Sequence, residues 1–189
     1  MCVKEVYLYF KTAGQVNTQQ TLKAAYARAE ALGINEMVVA STSGDTAFKA
    51  LDIMKDMTLT AVALHGGLKK PFHNELPQEI RKKLQQKGVN VVMATHPLSG
   101  VERSLAKKYS GVYPVMIIAD TLKRFGQGTK VAVEIAIMAA DAGYLSGRDI
   151  VAVGGTSRGA DTALVIKPQN QAGFFDLKIR EVICKPSNF

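Results

Sequence analysis

Four side-chain hydroxyls fall within six residues in the stretch ASTSGDTA (residues 40–47), where Ser41, Thr42, Ser43 and Thr46 surround Gly44 and Asp45. An apolar run, MVVA, precedes them, and a helix-like run, FKALDIMKDM, comes after. In an open α/β sheet, ligands bind outside the carboxyl ends of strands, where helices begin. The first N–H groups of such a helix have no partner within it, and its dipole favours an anion. Hydroxyl and N–H donors together suit a phosphate monoester. Gly44 lets the chain turn tightly, so a β-branched residue there is expected to strain the turn and fill the anion's place. Asp45 would repel phosphate, so it is expected to turn away and cap the helix. Ser, Thr, Gly and Asp also make ordinary helix caps, and the residues alone leave both uses open.

Nearly the same letters return in GGTSRGADTALVIK (residues 154–167). Here Gly154, Gly155, Thr156, Ser157 and Arg158 lie between two strand-like runs and not before a helix. The glycines permit close backbone approach, and Arg158 adds a fixed cation able to grip an oxyanion. A plain hairpin-like connection is the competing reading. GQGTK (residues 126–130) lacks the spacing of a phosphate-binding P-loop and reads as a helix start. His65 ends the apolar run LTAVAL beside two glycines, whereas His73 and His96 fall in loops. No metal-ligand spacing and no G-x-S-x-G elbow occur. Asn17, Thr18 and His65, near strand ends, are candidates for touching the remainder of a ligand.

The elements that must hold these loops alternate between short apolar runs and helical segments. Strands are expected at 6–10, 37–40, 59–64 and 89–94, and again in DIVAVGG, ALVIKP and KIREVICKP, the last as an edge strand. Helices are expected from Asn17, as N-cap with Gln20 in the capping-box position, to Gly33. Others are expected at 48–54, from Leu76-Pro77 to Gly88, at 101–108 and at 115–125. TKVAVEIAIMAADAG alternates like a strand at first, yet its length and the spacing of Val133, Ile137 and Ala140 make it a helix. Such alternation implies a three-layer α/β/α fold with a mainly parallel central sheet.

At 189 residues and 47% hydrophobic content the chain reads as one globular domain spanning 1–189. No apolar run is long enough to cross a bilayer and no signal peptide stands out, so a cytoplasmic protein without membrane contact is expected. Cys2 and Cys184 make no disulfide framework and read as reduced thiols. The net charge is +8, and nine cations against three carboxylates between Lys69 and Lys108 supply +6 of it. That segment carries few aromatics among its charges, so a solvated helix face is favoured over a nucleic-acid platform.

AEALGINEMVVASTSGDTAFKALDIM resembles the C-terminal α/β domain of pyruvate kinase. YSGVYPV, VEIAIMAADAGYLSGRDIVAVGG and ADTALVIKP match that domain in the same order, so the resemblance runs from about residue 21 to 168. Residues 66–108 look like a basic insertion in it. NTQQTL, VVASTSGDTA, LSGVERS and VEIAIMAADAG are similar to small stand-alone, mostly archaeal proteins of this type. The resemblance implies that the two Ser/Thr-Gly loops lie together and form a pocket for a phosphorylated ligand. It further implies flavin mononucleotide (FMN) as cofactor, held by Ser41–Thr46. The catalytic barrel of pyruvate kinase has no counterpart in these residues, so phosphate transfer between phosphoenolpyruvate and ADP is not expected. Two functions stay open: a flavin-binding protein, with a flavin-dependent oxidoreductase among its forms, and a non-enzymatic sensor of a sugar phosphate or nucleotide. Homo-oligomerisation is also left open.

Overall fold

The computed structural model describes residues 8–189. The expectations for Val6, Tyr7 and Cys2 therefore lie outside the described residues. Strands β1 (Leu8–Phe10), β2 (Glu36–Ala40), β3 (Thr58–Ala63), β4 (Asn90–Met93), β5 (Ile150–Gly154), β6 (Thr162–Lys167) and β7 (Lys178–Pro186) form a single sheet. Its order is β1-β7-β6-β5-β2-β3-β4. All neighbours are parallel except at β6, which runs antiparallel to both β5 and β7. Residues 155–161 alone join β5 to β6, too short a link for the crossover that a parallel pair needs.

The central strands read as unbroken apolar runs because both their faces are covered. Alternate residues then serve opposite layers. Met37, Val39, Val151 and Val153 pack with Leu22, Ala25 and Ala29 of α1 (Thr18–Leu32) and Ala47 and Ala50 of α2 (Asp45–Ile53). Leu84 of α3 (Gln78–Gln86) joins that layer. Val38, Ala152, Leu164 and Ile166 point the other way, against Ala119 of α5 (Pro114–Lys123) and the inner face of α6 (Gln127–Asp141). The stretch with mixed periodicity is thus a helix. It is buried almost throughout from Gly128 to Ala139 because it crosses the middle of the sheet. The remaining helix, α4 (Glu102–Tyr109), buries none of its residues.

One expectation is corrected. β7 is interior and not an edge, because β1 pairs along it from Leu8 with Cys184 to Phe10 with Pro186. The described part of β1 covers only the end of β7. Lys178, Ile179 and Arg180 stay exposed, and that half carries an edge-like pattern. Cys184 is a buried free thiol, and burial raises its pKa to about 12, so it stays protonated. Among the described residues no helix is long and apolar enough to cross a membrane.

Candidate functional site

A cleft of about 510 Å³ opens beyond the carboxyl ends of β2, β3 and β5. Ala40, Val62, Ala63 and Leu64 from the strand ends and Val131 and Ile135 from α6 give it an apolar wall. The first Ser/Thr loop contributes Thr42, Ser43, Asp45 and Thr46, and the second contributes Gly155, Ser157 and Arg158. Thr18 also lines it. The fold therefore brings the two similar stretches to one cleft from strands that are direct neighbours.

The first loop is built around a buried serine. Ser41 donates its N–H to Val62 O at 2.9 Å, and its Oγ accepts the Ala47 N–H at 3.1 Å. Ser41 therefore caps α2 and is turned away from the cleft. Asp45, expected as the cap, makes no capping hydrogen bond; it is exposed and lines the cleft. Gly44 holds φ at 96°, a left-handed turn that leads straight into α2. A Cβ there would stand 2.5 Å from Ile80 Cγ2, so it points at α3 and not into the anion's place as expected. Five successive N–H groups, Thr42 through Thr46, find no acceptor among the described residues.

The second loop is pinned from inside. The fully buried Asp161 accepts the N–H groups of Gly14 (2.8 Å) and Thr156 (3.1 Å) and the Thr162 hydroxyl (2.8 Å). Thr156 Oγ1 is buried with no partner and does not line the cleft. Gly154 sits beneath the first turn of α6, where a Cβ would collide with the Gly128 carbonyl. Its bareness serves packing.

The outlying candidates divide. Thr18 Oγ1 donates to Gln15 O at 2.7 Å and accepts the Ala160 N–H at 3.0 Å, which ties the second loop to α1. Asn17 occupies the N-cap position but makes no capping bond; its amide donates to Thr12 O at 2.7 Å, away from the cleft. The expected capping box is therefore not formed. His65 lies outside the lining. Its Nδ1 hydrogen-bonds Gly66 O at 2.8 Å, and its ring stands edge-on to His96 at 5.1 Å between centroids.

His96 itself lines the cleft, as do Lys49, Lys69, Glu75, Gln127 and Glu134. None of these is among the site residues expected from the sequence, although Gln127 lies in GQGTK, which reads there as a helix start. The 66–108 segment supplies three of them, so it forms a wall of the cleft. Lys69 is engaged with Glu75 at 2.6 Å, whereas Lys49 and Arg158 make no ion pair among the described residues. Behind His96, Lys130 Nζ donates to Glu134 Oε2 at 2.5 Å, both buried. Burial pushes the Lys130 pKa down while the Glu134 carboxylate pulls it up. The His96 imidazole is likewise held below 6.5, first by burial and then by His65, Lys130 and Arg103, with Glu134 opposing. A sequence signal existed: Lys130 and Glu134 are the only charges in KVAVEIAIMAA, spaced one helical turn apart. Among the described residues no group of three or more His, Cys, Asp or Glu could hold a metal ion.

The protein is similar to a solved pyruvate kinase from Cryptosporidium parvum in complex with ADP, at 14% identity and a TM-score of 0.40. That match covers 87% of this chain and 24% of the other, so the chain spans about a quarter of that enzyme. The family model for the pyruvate kinase alpha/beta domain matches residues 19–166, most of the chain. On that match, the chain belongs to the pyruvate kinase alpha/beta domain family.

Proposed function

We propose that the cleft binds a phosphorylated small molecule, with FMN as its occupant and the phosphate at the start of α2. The observation that carries this reading is the run of five N–H groups, Thr42 through Thr46, without a protein acceptor. Such groups at a helix start attract an anion by their own polarity and by the helix dipole. Lys49 and Arg158, with no carboxylate partner among the described residues, face the same cleft and add positive charge. The volume lies within the range of small-molecule pockets. The apolar wall of Val62, Val131 and Ile135 suits a flat ring system.

Titrating FMN and riboflavin against the wild type and a Thr42→Ala/Ser43→Ala variant tests this. Charge-assisted hydrogen bonds contribute about 1.5–3 kcal/mol each. FMN should therefore bind far more tightly than riboflavin, which lacks the phosphate. The double variant should lose about tenfold to a thousandfold in FMN affinity and little for riboflavin. Equal affinities for the two flavins would reduce the loop to a helix cap. A protein that ignores both flavins yet binds a sugar phosphate through the same loop would be a sensor instead.

A further inference from the structure

A phosphate at α2 leaves one cluster in the cleft unused. His96 reaches it from the loop after β4, and Glu134 from α6. Lys130 stands one helical turn from Glu134, and both charges are buried on a helix whose neighbouring inner positions are apolar. The attraction within a buried ion pair often fails to offset its loss of hydration. Packing alone therefore gives no reason for this pair. Glu134 is held at both oxygens: Oε1 accepts the Leu98 N–H at 3.0 Å, and Oε2 accepts Lys130 Nζ. Oε2 also lies 3.9 Å from His96 Nδ1. The charged and titratable groups facing the imidazole are Glu134 and Lys130 on α6, His65 after β3 and Arg103 on α4. A carboxylate on the Nδ1 side favours the tautomer with its hydrogen there and leaves Nε2 as a free base. With its pKa held below the ordinary value, the ring is uncharged at neutral pH.

We infer that His96 is the acid–base residue of this cleft, with Glu134 as its positioning residue and Lys130 fixing Glu134 in place. The inference rests on the reading of the cleft as a ligand site, and it names the ligand class more closely. The ligand carries, beyond its phosphate, an imide, enol or hydroxyl group that can give up a proton. In the step, the O–H or N–H bond of that group breaks and its electron pair stays on the ligand. A new Nε2–H bond forms, and the imidazolium faces the Glu134 carboxylate. The reverse step returns the proton, and no electrons change hands.

Diethyl pyrocarbonate, which attacks neutral accessible imidazole, tests the protein without a ligand, with exposed His73 as internal reference. At about pH 7.5 His96 should be modified alongside exposed His73, and the His96 adduct should be absent from His96→Asn. Nitrogen-15 spectra should show the Nδ1–H tautomer at His96, with the Nε2–H form gaining population in Glu134→Gln. A His96 that resists the reagent, or that already carries Nε2–H in the wild type, overturns the inference.

FMN then probes the ligand side. The wild type should bind it about three- to tenfold more tightly than His96→Asn at about pH 7.5, and that ratio should fall towards one once the pH is low enough to protonate His96. Protonation of the FMN phosphate is common to both proteins and cancels in the ratio. A ratio near one throughout, with FMN bound, overturns the inference and leaves the phosphate reading intact. If the wild type does not bind FMN, the flavin reading falls, and the reagent and tautomer measurements alone decide the role of His96.

Discussion

The loop after β2 and the loop after β5 spell Thr-Ser, a glycine and Asp-Thr-Ala in the same order, and they line one cleft. They are nevertheless built in opposite ways. In the first, the aspartate (Asp45) is exposed, and a serine outside the repeated letters, Ser41, is the buried anchor. In the second, the aspartate (Asp161) is the buried anchor, accepting three hydrogen bonds that hold Gly14, Thr156 and Thr162. The second loop spends its Thr156, Ala160 and Asp161 N–H groups on Asp161, Thr18 and Gly154. It leaves those of Gly155, Ser157, Arg158 and Gly159 without an acceptor among the described residues, whereas the first leaves five in unbroken succession up to the start of α2. The element that each loop enters decides this. A helix start leaves its first donors without partners, whereas a strand start hands its donors to the sheet. Nearly the same letters thus make a helix start with an exposed aspartate in one place and a turn braced by a buried aspartate in the other.

The sharpest way to break this contrast is Asp161→Ala. It would leave the part-buried Gly14 and Thr156 N–H groups without their acceptor, at a cost of about 3 kcal/mol. Urea unfolding should show the loss as a lower midpoint or as a failure to fold. A midpoint near the wild-type value would mean that the second loop stands without its aspartate, and the contrast would collapse. Next in size is Gly44→Val. It forces a β-branched residue to φ 96° and drives its Cβ towards Ile80, for a loss of roughly 2 kcal/mol. Its folded fraction should keep FMN affinity within about threefold, because the added atoms face α3 and not the cleft. A selective collapse of FMN affinity with unchanged stability would restore the view that Gly44 exists to admit the phosphate.

Local sequence pattern carries much of this fold. MVVA, LTAVAL and DIVAVGG carry the mark of strands buried on two faces, and Gly33 ends α1 in the left-handed turn such a stop requires. The meeting of the two loops came from resemblance, since no local rule makes β2 and β5 neighbours. The features that stayed hidden depend on partners distant in sequence. Ser41 and Asp45 are both sound capping residues by type, and only the turn at Gly44 decides which one faces α2. β7 reads as an edge because its first residues, Lys178 to Arg180, are exposed and the described part of β1 pairs only with its end. His96 joins Glu134 across 38 positions, and its loop, HPLSG, has no spacing that announces chemistry. Lys130 and Glu134 were visible as an isolated charged pair on an apolar helix. Taken as a cost to burial, that pair would have pointed to the deep wall of the cleft.

The smallest effect belongs to Asp45, and it separates the two aspartates most finely. Asp45→Asn removes a carboxylate from the first turn of α2, where negative charge favours the helix weakly. With no hydrogen bond lost, the urea midpoint should move by no more than about 0.5 kcal/mol equivalent. The same carboxylate lines the cleft and opposes any phosphate placed at the helix start. An exposed charge a few ångströms from an anion costs under about 1 kcal/mol in water. FMN affinity should therefore rise by about threefold in Asp45→Asn, riboflavin affinity should stay unchanged, and the gain should shrink as salt screens the site. A fall in FMN affinity would instead make Asp45 an acceptor for a ligand hydroxyl. The first loop would then hold its ligand through a carboxylate, as the second holds its own backbone.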